Sequence, residues 1–408
     1  MLILKLGIRN IFRNKAKMIL AVIAVSIGLF SLICLDALVN GISKSMIKNA
    51  INTFSGSAQI HAKNFRDDFE IEKFINQLDR VKYNLRSEKK IKSFTLRTQS
   101  FCMLSSPQNV ESVMLYGIKP ETEKNISLID NAVIKGKYLN SKKSDKILIG
   151  EKLSKLLKVD VNDKIVVTLS QAHTGDLCQE LFRVGGIFRL NIREMDSKIA
   201  FITLAKSQQI LNIGTNVHEI VLKTKQLNNK NTFPANFQAK YSSYNNEALT
   251  WKDLIPGIET AIKVSRFSTY IMGLLLFAIV AVVVTNTIFM SLYERMYEFG
   301  ILRAVGTRSI QMAQIILTET AILCAAGILL GLLLGISVCY IFSIIGISYG
   351  TMELGGVTLI EPIYPAISIK KLIIYPIWIF IFTIAAAIFP AIQAARLSPV
   401  EAMKKKDR

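Results

Sequence analysis

Glu294, Arg295, Glu298 and Arg303 make a densely charged, glycine-punctuated stretch in the last third of the chain, together with Phe299, Gly300 and Gly306. Glu294 and Glu298 lie four residues apart, so a helix would carry them on one face despite their repulsion, and Arg295 can offset Glu298 at i+3. Gly300 and Gly306 permit sharp turns, leaving between them a short amphipathic piece whose Ile301, Leu302 and Val305 could dock in a groove. The chemistry on offer is ionic and mechanical. A plain charged turn would satisfy the same composition; the apolar content and the two glycines favour a handle that another protein grips.

Catalytic groups are sparse elsewhere. His61, His173 and His218 are scattered without ligand spacing and read as surface or structural residues, so neither a catalytic nor a metal site is expected. Cys34, Cys324 and Cys339 fall in apolar runs; Cys102 and Cys178 could pair or remain two separate thiols. No phosphate-binding Gly-x-x-x-x-Gly-Lys-[Ser/Thr] loop is present, since Gly136-Lys137 leads into Tyr138. No directly bound cofactor is expected, and ATP is not bound by that route.

The handle lies between two of four apolar runs, each about 30 Å or more long as a helix, which predicts four membrane spans. The expected order is a basic amphipathic segment (1–17), a first span (18–41), a large hydrophilic α+β domain with helical stalks (42–266) and a second span (267–292). The handle (293–311), a third span (312–347), a short loop (348–371), a fourth span (372–392) and a tail (393–408) complete it. The net charge of +20 is spread over a lysine-rich, mixed surface, which argues against nucleic acid and for solvated surface facing anionic headgroups. Lys5, Arg9, Arg13, Lys15 and Lys17 precede the first span, Arg295, Arg303 and Arg308 separate the second and third, and Arg396 follows the fourth. The positive-inside rule therefore puts both termini and the handle in the cytoplasm and the large domain outside. Lys370 and Lys371 run against the rule and are expected to snorkel to headgroups.

Within the large domain the alternation predicts strands at Ser57 to His61, Phe94 to Leu104, Val110 to Ile118, Lys164 to Leu169, Leu181 to Ile187, Ile199 to Thr203 and Glu219 to Thr224. Helices are expected over Phe69 to Leu85, with Ile71, Phe74, Ile75 and Leu78 on one face, over Glu151 to Leu157 and over Ala205 to Leu211. Asp160 to Asp163 reads as a turn and Leu227 to Asn231 as a solvated loop. The first span should continue outward through Ile42, Met46 and Ile47, and the second should be approached helically through Leu254, Ile258, Ala261 and Ile262. In the third span, Gly327, Gly331 and Gly335 recur every four residues and line one face for close helix packing. Glu319 at its inner end is costly unless paired or near the interface.

The stretch Glu294-Arg295-x-x-Glu298-Phe299-Gly300-Ile301-Leu302-Arg303-Ala304-Val305-Gly306 resembles the motif of FtsX-like permeases, membrane subunits of mechanotransmitting ABC transporters. Leu6 to Lys15 resembles the family's amphipathic start, and Phe389-Pro390-Ala391 with Ala394 to Ala402 its C-terminal signature. Ile147 to Gly150, Phe182 to Phe188 and Trp251 are similar to a MacB-like periplasmic core domain. The resemblance implies a separate ABC ATPase dimer pushing on the handle, a second permease copy or paralogue, residence in the cytoplasmic membrane, and no enzyme activity of the chain itself. It implies lipoprotein release of the LolC/LolE type as the first reading, because the chain begins at the amphipathic strip without a fused ATPase. MacB-like export of peptides or amphiphiles, and FtsX-like signalling to a cell-wall hydrolase, are the alternatives. In the lipoprotein-releasing branch a carrier-recruiting hook corresponds to Ser170 to Glu180, which here is short and lacks proline.

Overall fold

The computed structural model describes residues 15–141, 145–225, 233, 237–348, 352–354, 357–359 and 362–396. The amphipathic strip before Lys15, the loop Leu227 to Asn231 and the Ser398 to Ala402 signature lie outside them. The chain divides into two compact units, one holding the long apolar helices and one built on Lys44–Ala261.

Four helices among the described residues are long and apolar enough to span a membrane. They are α1 (Lys15–Ala50), α2 (Pro256–Glu294), α4 (Ser309–Ile345) and α5 (Ile369–Arg396), with the short α3 (Met296–Ala304) between α2 and α4. Val25, Leu29, Ile33 and Ala37 of α1, Val280 and Val284 of α2, Cys324 and Cys339 of α4, and Ile379 of α5 form the core of the bundle. Apolar side chains such as Leu274, Val282, Leu329 and Ile377 point away from it. That outward apolar surface is what lipid requires. Gly327, Gly331 and Gly335 all face α1: the position a Cβ would take at Gly331 is 2.9 Å from the Ser26 carbonyl oxygen and 3.0 Å from Leu29 Cβ.

Lys371 does not reach for headgroups. Its ammonium pairs with Asp36 of α1, which is 4% exposed and also accepts a 2.8 Å hydrogen bond from Asn40 Nδ2. A carboxylate held inside a bundle needs such a partner, and pairing costs less than leaving it bare. The approach to α2 also differs from expectation. Leu254 closes a separate short helix, Trp251–Leu254, the chain leaves helical geometry at Ile255 (φ −133°, ψ 70°), and α2 starts afresh at Pro256. Proline supplies no N–H, so it is suited to a helix start and poor at continuing one.

The second unit is a ten-stranded mixed sheet among the described residues: β1 (Ala58–Ala62), β2 (Ile91–Ser105), β3 (Val110–Ile118), β4 (Val133–Gly136), β5 (Lys146–Gly150), β6 (Lys164–Ser170), β7 (Leu177–Phe188), β8 (Ile199–Thr203), β9 (Glu219–Thr224) and β10 (Asn246–Thr250). Its order is β10-β1-β9-β2-β3-β8-β5-β7-β4, and β6 pairs with both β2 and β7. The β6 pairings close β2, β3, β8, β5, β7 and β6 into a ring. Alternate residues fill its interior, among them Leu104, Leu115, Ile149, Ile165, Val167, Phe182 and Ile202. Strand β2 is long because it belongs to two structures: its first half pairs with β9 and its second with β3 and β6.

No single helix runs from Phe69 to Leu85. Helix occupies Phe65–Asp68 and Leu78–Ser87, and Phe69 (φ 52°) and Gln77 (φ 51°) turn the chain between them. The backbone groups that a helix would have used are taken by neighbours. Ile75 N–H donates to the Val217 carbonyl at 3.0 Å and Asn76 N–H to Asn246 Oδ1 at 2.8 Å, while His218 Nε2 lies 3.0 Å from the Ile71 carbonyl. Of the Ser170 to Glu180 segment, Ser170 and Leu177 to Glu180 belong to the paired strands, and the β6–β7 connection is Gln171 to Asp176, closed by Gln171 N–H donating to the Asp176 carbonyl.

His61, His218 and the thiols of this unit are packing groups, whereas His173 is exposed in the β6–β7 turn. His218 Nδ1 accepts from the Gln99 N–H at 2.9 Å, which leaves its Nε2–H to donate to Ile71, and the ring stacks on Phe65 and Phe74. Burial holds His218 down to about 4 and, with the Arg66 charge next, His61 down to about 3, so both are neutral at physiological pH. Cys102 and Cys178 are free, and burial pushes the Cys102 thiol up to about 12.

Candidate functional site

Helix α3 is held between two joints. At the first, Arg295 leaves helical geometry (φ −106°, ψ 11°) between the end of α2 and the start of α3. At the second, Gly306 takes φ +102°, a conformation that a side chain would strain, and α4 begins three residues later. Gly300 is no turn: it is helical and buried within α3. The interior of a nine-residue helix accepts glycine at a modest cost, and here the face it occupies is closed off by packing.

One face of α3 is anchored. Met296, Phe299 and Gly300 are buried, and Phe299 packs with Leu292 of α2, Met312, Ala313 and Ile316 of α4, and Ala391 and Ala394 of α5. Two arginines fasten its ends. Arg295 Nη1 donates to Glu319 Oε2 of α4 at 3.0 Å, Nε lies 3.5 Å from Glu298 Oε2, and the guanidinium sits 5.1 Å from the Phe299 ring centroid. Arg303 Nη1 donates to the Ala395 carbonyl at 2.7 Å and also bonds Ser309 Oγ. A cation on the last carbonyls of α5 satisfies acceptors that the helix leaves open and complements its dipole. The other face, with Tyr297, Ile301, Leu302 and Val305, is exposed, Val305 by 83%. Glu294 ends α2 and Glu298 lies in α3, so the break at Arg295 divides between two helices the glutamates that a continuous helix would have carried on one face. The arrangement can take a push on α3 and deliver it to α4 and α5 through ionic and packed contacts.

Glu319 is the residue that local spacing could not join to Arg295, since the two are 24 positions apart on different helices. Its cost in an apolar helix was the only signal. Beside the pair is a cavity of about 130 Å³ lined by Met18, Thr287, Ser291, Thr320 and Thr383 among others. Removing one partner of a mostly buried ion pair leaves an uncompensated charge, whereas removing both does not. Arg295→Met and Glu319→Met are each expected to lower the thermal midpoint of the purified protein by several degrees, and the double variant to recover part of the loss. Additive losses would show that the two side chains act independently.

Residues 18–239 match the family model of the MacB-like periplasmic core domain, more than half of the 408 residues, and residues 270–399 match the FtsX-like permease C-terminal model. The chain is an FtsX-like ABC transporter permease with a MacB-like core domain. This FtsX-like permease is 22% identical over 309 residues to the lipoprotein-releasing system transmembrane protein LolC of Xylella fastidiosa (strain 9a5c), covering 72% of this chain and 73% of LolC. An uncharacterized ABC transporter permease, MJ1507 of Methanocaldococcus jannaschii, is 27% identical over 124 residues, 30% of this chain and 29% of the relative. Among solved structures, the periplasmic region of MacB from Actinobacillus actinomycetemcomitans aligns with a TM-score of 0.35 at 14% identity, over 50% of this chain and 94% of that one. The α3 region of the FtsX-like permease falls within the C-terminal match, and β1 to β9 within the core-domain match.

Proposed function

We propose that this permease releases lipoproteins from the outer leaflet of the cytoplasmic membrane, driven by a partner ABC ATPase. The observation that carries the reading is its match to LolC over 72% of this chain and 73% of LolC. The basic residues Arg295, Arg303 and Arg308 put α3 on the cytoplasmic side, which leaves the core domain outside. Helix α3 is then the ATPase handle: Glu294, Arg295, Glu298, Phe299, Gly300, Ile301, Leu302, Arg303 and Gly306 shape it, with Ile301, Leu302 and Val305 meeting the partner's groove. ATP is bound and hydrolysed by the partner, a dimer, and a second permease copy or paralogue completes the membrane unit. Movement passes along the helices to the core domain, with no substrate path through the bilayer.

Depleting the permease should leave lipoproteins in the cytoplasmic membrane that are otherwise released, measured by fractionating membranes and quantifying acylated proteins. Unchanged partitioning overturns the reading. The compact β6–β7 turn, Gln171 to Asp176, favours a second reading at the delivery step: with so little chain to extend toward a carrier, the substrate could be an amphiphile or peptide exported without one. Loss of amphiphile efflux with normal lipoprotein partitioning would select it.

A further inference from the structure

Among the described residues Arg97 is the largest fully buried side chain, and an ion pair so deeply buried does not explain itself by stability, because desolvation offsets most of its attraction. Its position is singular. In β2 it pairs with Ile118 of β3 on one side and with Glu219 of β9 on the other, at the seam where the closed ring meets the β10-β1-β9 extension. Its Nε and Nη2 donate to the two oxygens of Glu123 at 3.1 and 2.6 Å, and Nη1 faces Glu219 Oε1 at 3.6 Å.

The same guanidinium reaches the end of α1. That helix finishes in a wide π-type turn, Ile51–Ser55, and Arg97 Nη2 donates to the Phe54 carbonyl at 2.9 Å while its guanidinium carbon lies 3.9 Å from the Phe54 ring centroid. The Phe54 ring is in turn wedged edge-on against Tyr116 of β3 and Phe201 of β8. Gly56 N–H closes the turn onto Ile51, and Ser57 N–H bonds the Leu222 carbonyl of β9. One cation therefore touches the turn that ends α1, the ring and the extension.

We infer that Arg97 is a positioning residue that locks the turn ending α1 to the seam of the core domain, so that movement of α1 is passed to both parts of the sheet. The inference rests on the mechanotransmission reading above. A planar fork suits the task because it fixes direction as well as distance, and a lysine would hold one partner at a time.

The test uses the full-length permease with its ATPase in lipid nanodiscs, followed by hydrogen exchange with and without ATP. Glu123→Gln keeps the shape of the pocket and is the milder variant; Arg97→Met removes the fork. Both are expected to speed exchange at Gly56 and Ser57 by about ten-fold or more while leaving the β6–β7 hairpin as protected as before, and to abolish the ATP-dependent change in the core domain with ATP hydrolysis retained. Arg97→Lys should restore part of that change. Faster exchange throughout the domain would make Arg97 a general stabiliser and overturn the role, as would local loosening with a normal ATP-dependent change, or no loosening at all. A wild-type complex whose core domain does not respond to ATP overturns the transmission reading itself, and the role with it.

Discussion

Gly300→Pro is expected to leave the permease inserted and its bundle intact but to abolish ATP-driven release. Gly300 is the fifth residue of α3, so proline there removes a helical hydrogen bond and drives its ring against the preceding turn, at a cost of about 3 kcal/mol or more. The damage falls on the anchored face, because Gly300 is buried beside Phe299. The four long helices do not depend on it. ATP hydrolysis by the reconstituted complex should persist, decoupled, and release per ATP should fall by at least about ten-fold, a loss of roughly 1.4 kcal/mol in coupling. Glu298→Lys should act in the same direction by placing a second cation beside Arg295, which now sits 3.5 Å from the Glu298 carboxylate. Full transport with the proline in place would remove α3 from the coupling path.

Gly331→Leu is expected to separate α1 from α4. At that position the first atom of any side chain meets the backbone of Ser26, which cannot swing aside as a rotamer can, and overpacking of this kind typically costs about 1–3 kcal/mol. The protein carries its own reporter: Cys34 Sγ of α1 and Cys339 Sγ of α4 are 3.7 Å apart. Mild oxidation in native membranes should link them in the wild type and fail to do so in Gly331→Leu, read by mass spectrometry of the paired peptides. Gly335→Ala meets only the Ile33 side chain, at 3.2 Å and beyond, and should retain the cross-link. Equal cross-linking in all three proteins would mean that the glycines do not set the approach of the helices.

These two predictions draw on different amounts of sequence information. The i, i+4, i+8 glycines are a local pattern, and the helix they would line was visible with them. The fate of Gly300 was not, since a glycine flanked by charges suits a turn as well as a helix interior, and the choice was made by Leu292, Met312, Ala391 and their neighbours closing over Phe299.

The sequence by itself determined the four long apolar helices, the α+β domain between the first two, and strands such as Val110–Ile118, Ile199–Thr203 and Glu219–Thr224, because burying one face imposes a period of 2 or 3.6 on adjacent residues. Tertiary structure alone decided which charges meet. Arg295 with Glu319, Asp36 with Lys371 across 335 positions, and Arg97 with Glu123, Glu219 and the Phe54 carbonyl leave no periodic trace, since each pairing joins residues whose local surroundings are unrelated. It decided the path of Phe69 to Gln77 as well. There the apolar spacing suited a helix, but the Val217 carbonyl, the Asn246 side chain and the His218 ring hold the segment in its turns through the very backbone groups a helix would have needed. It also closed the ring, where β6 returns to β2 between residues far apart in the chain, a pairing governed by the shape of the filled interior rather than by any short stretch of residues.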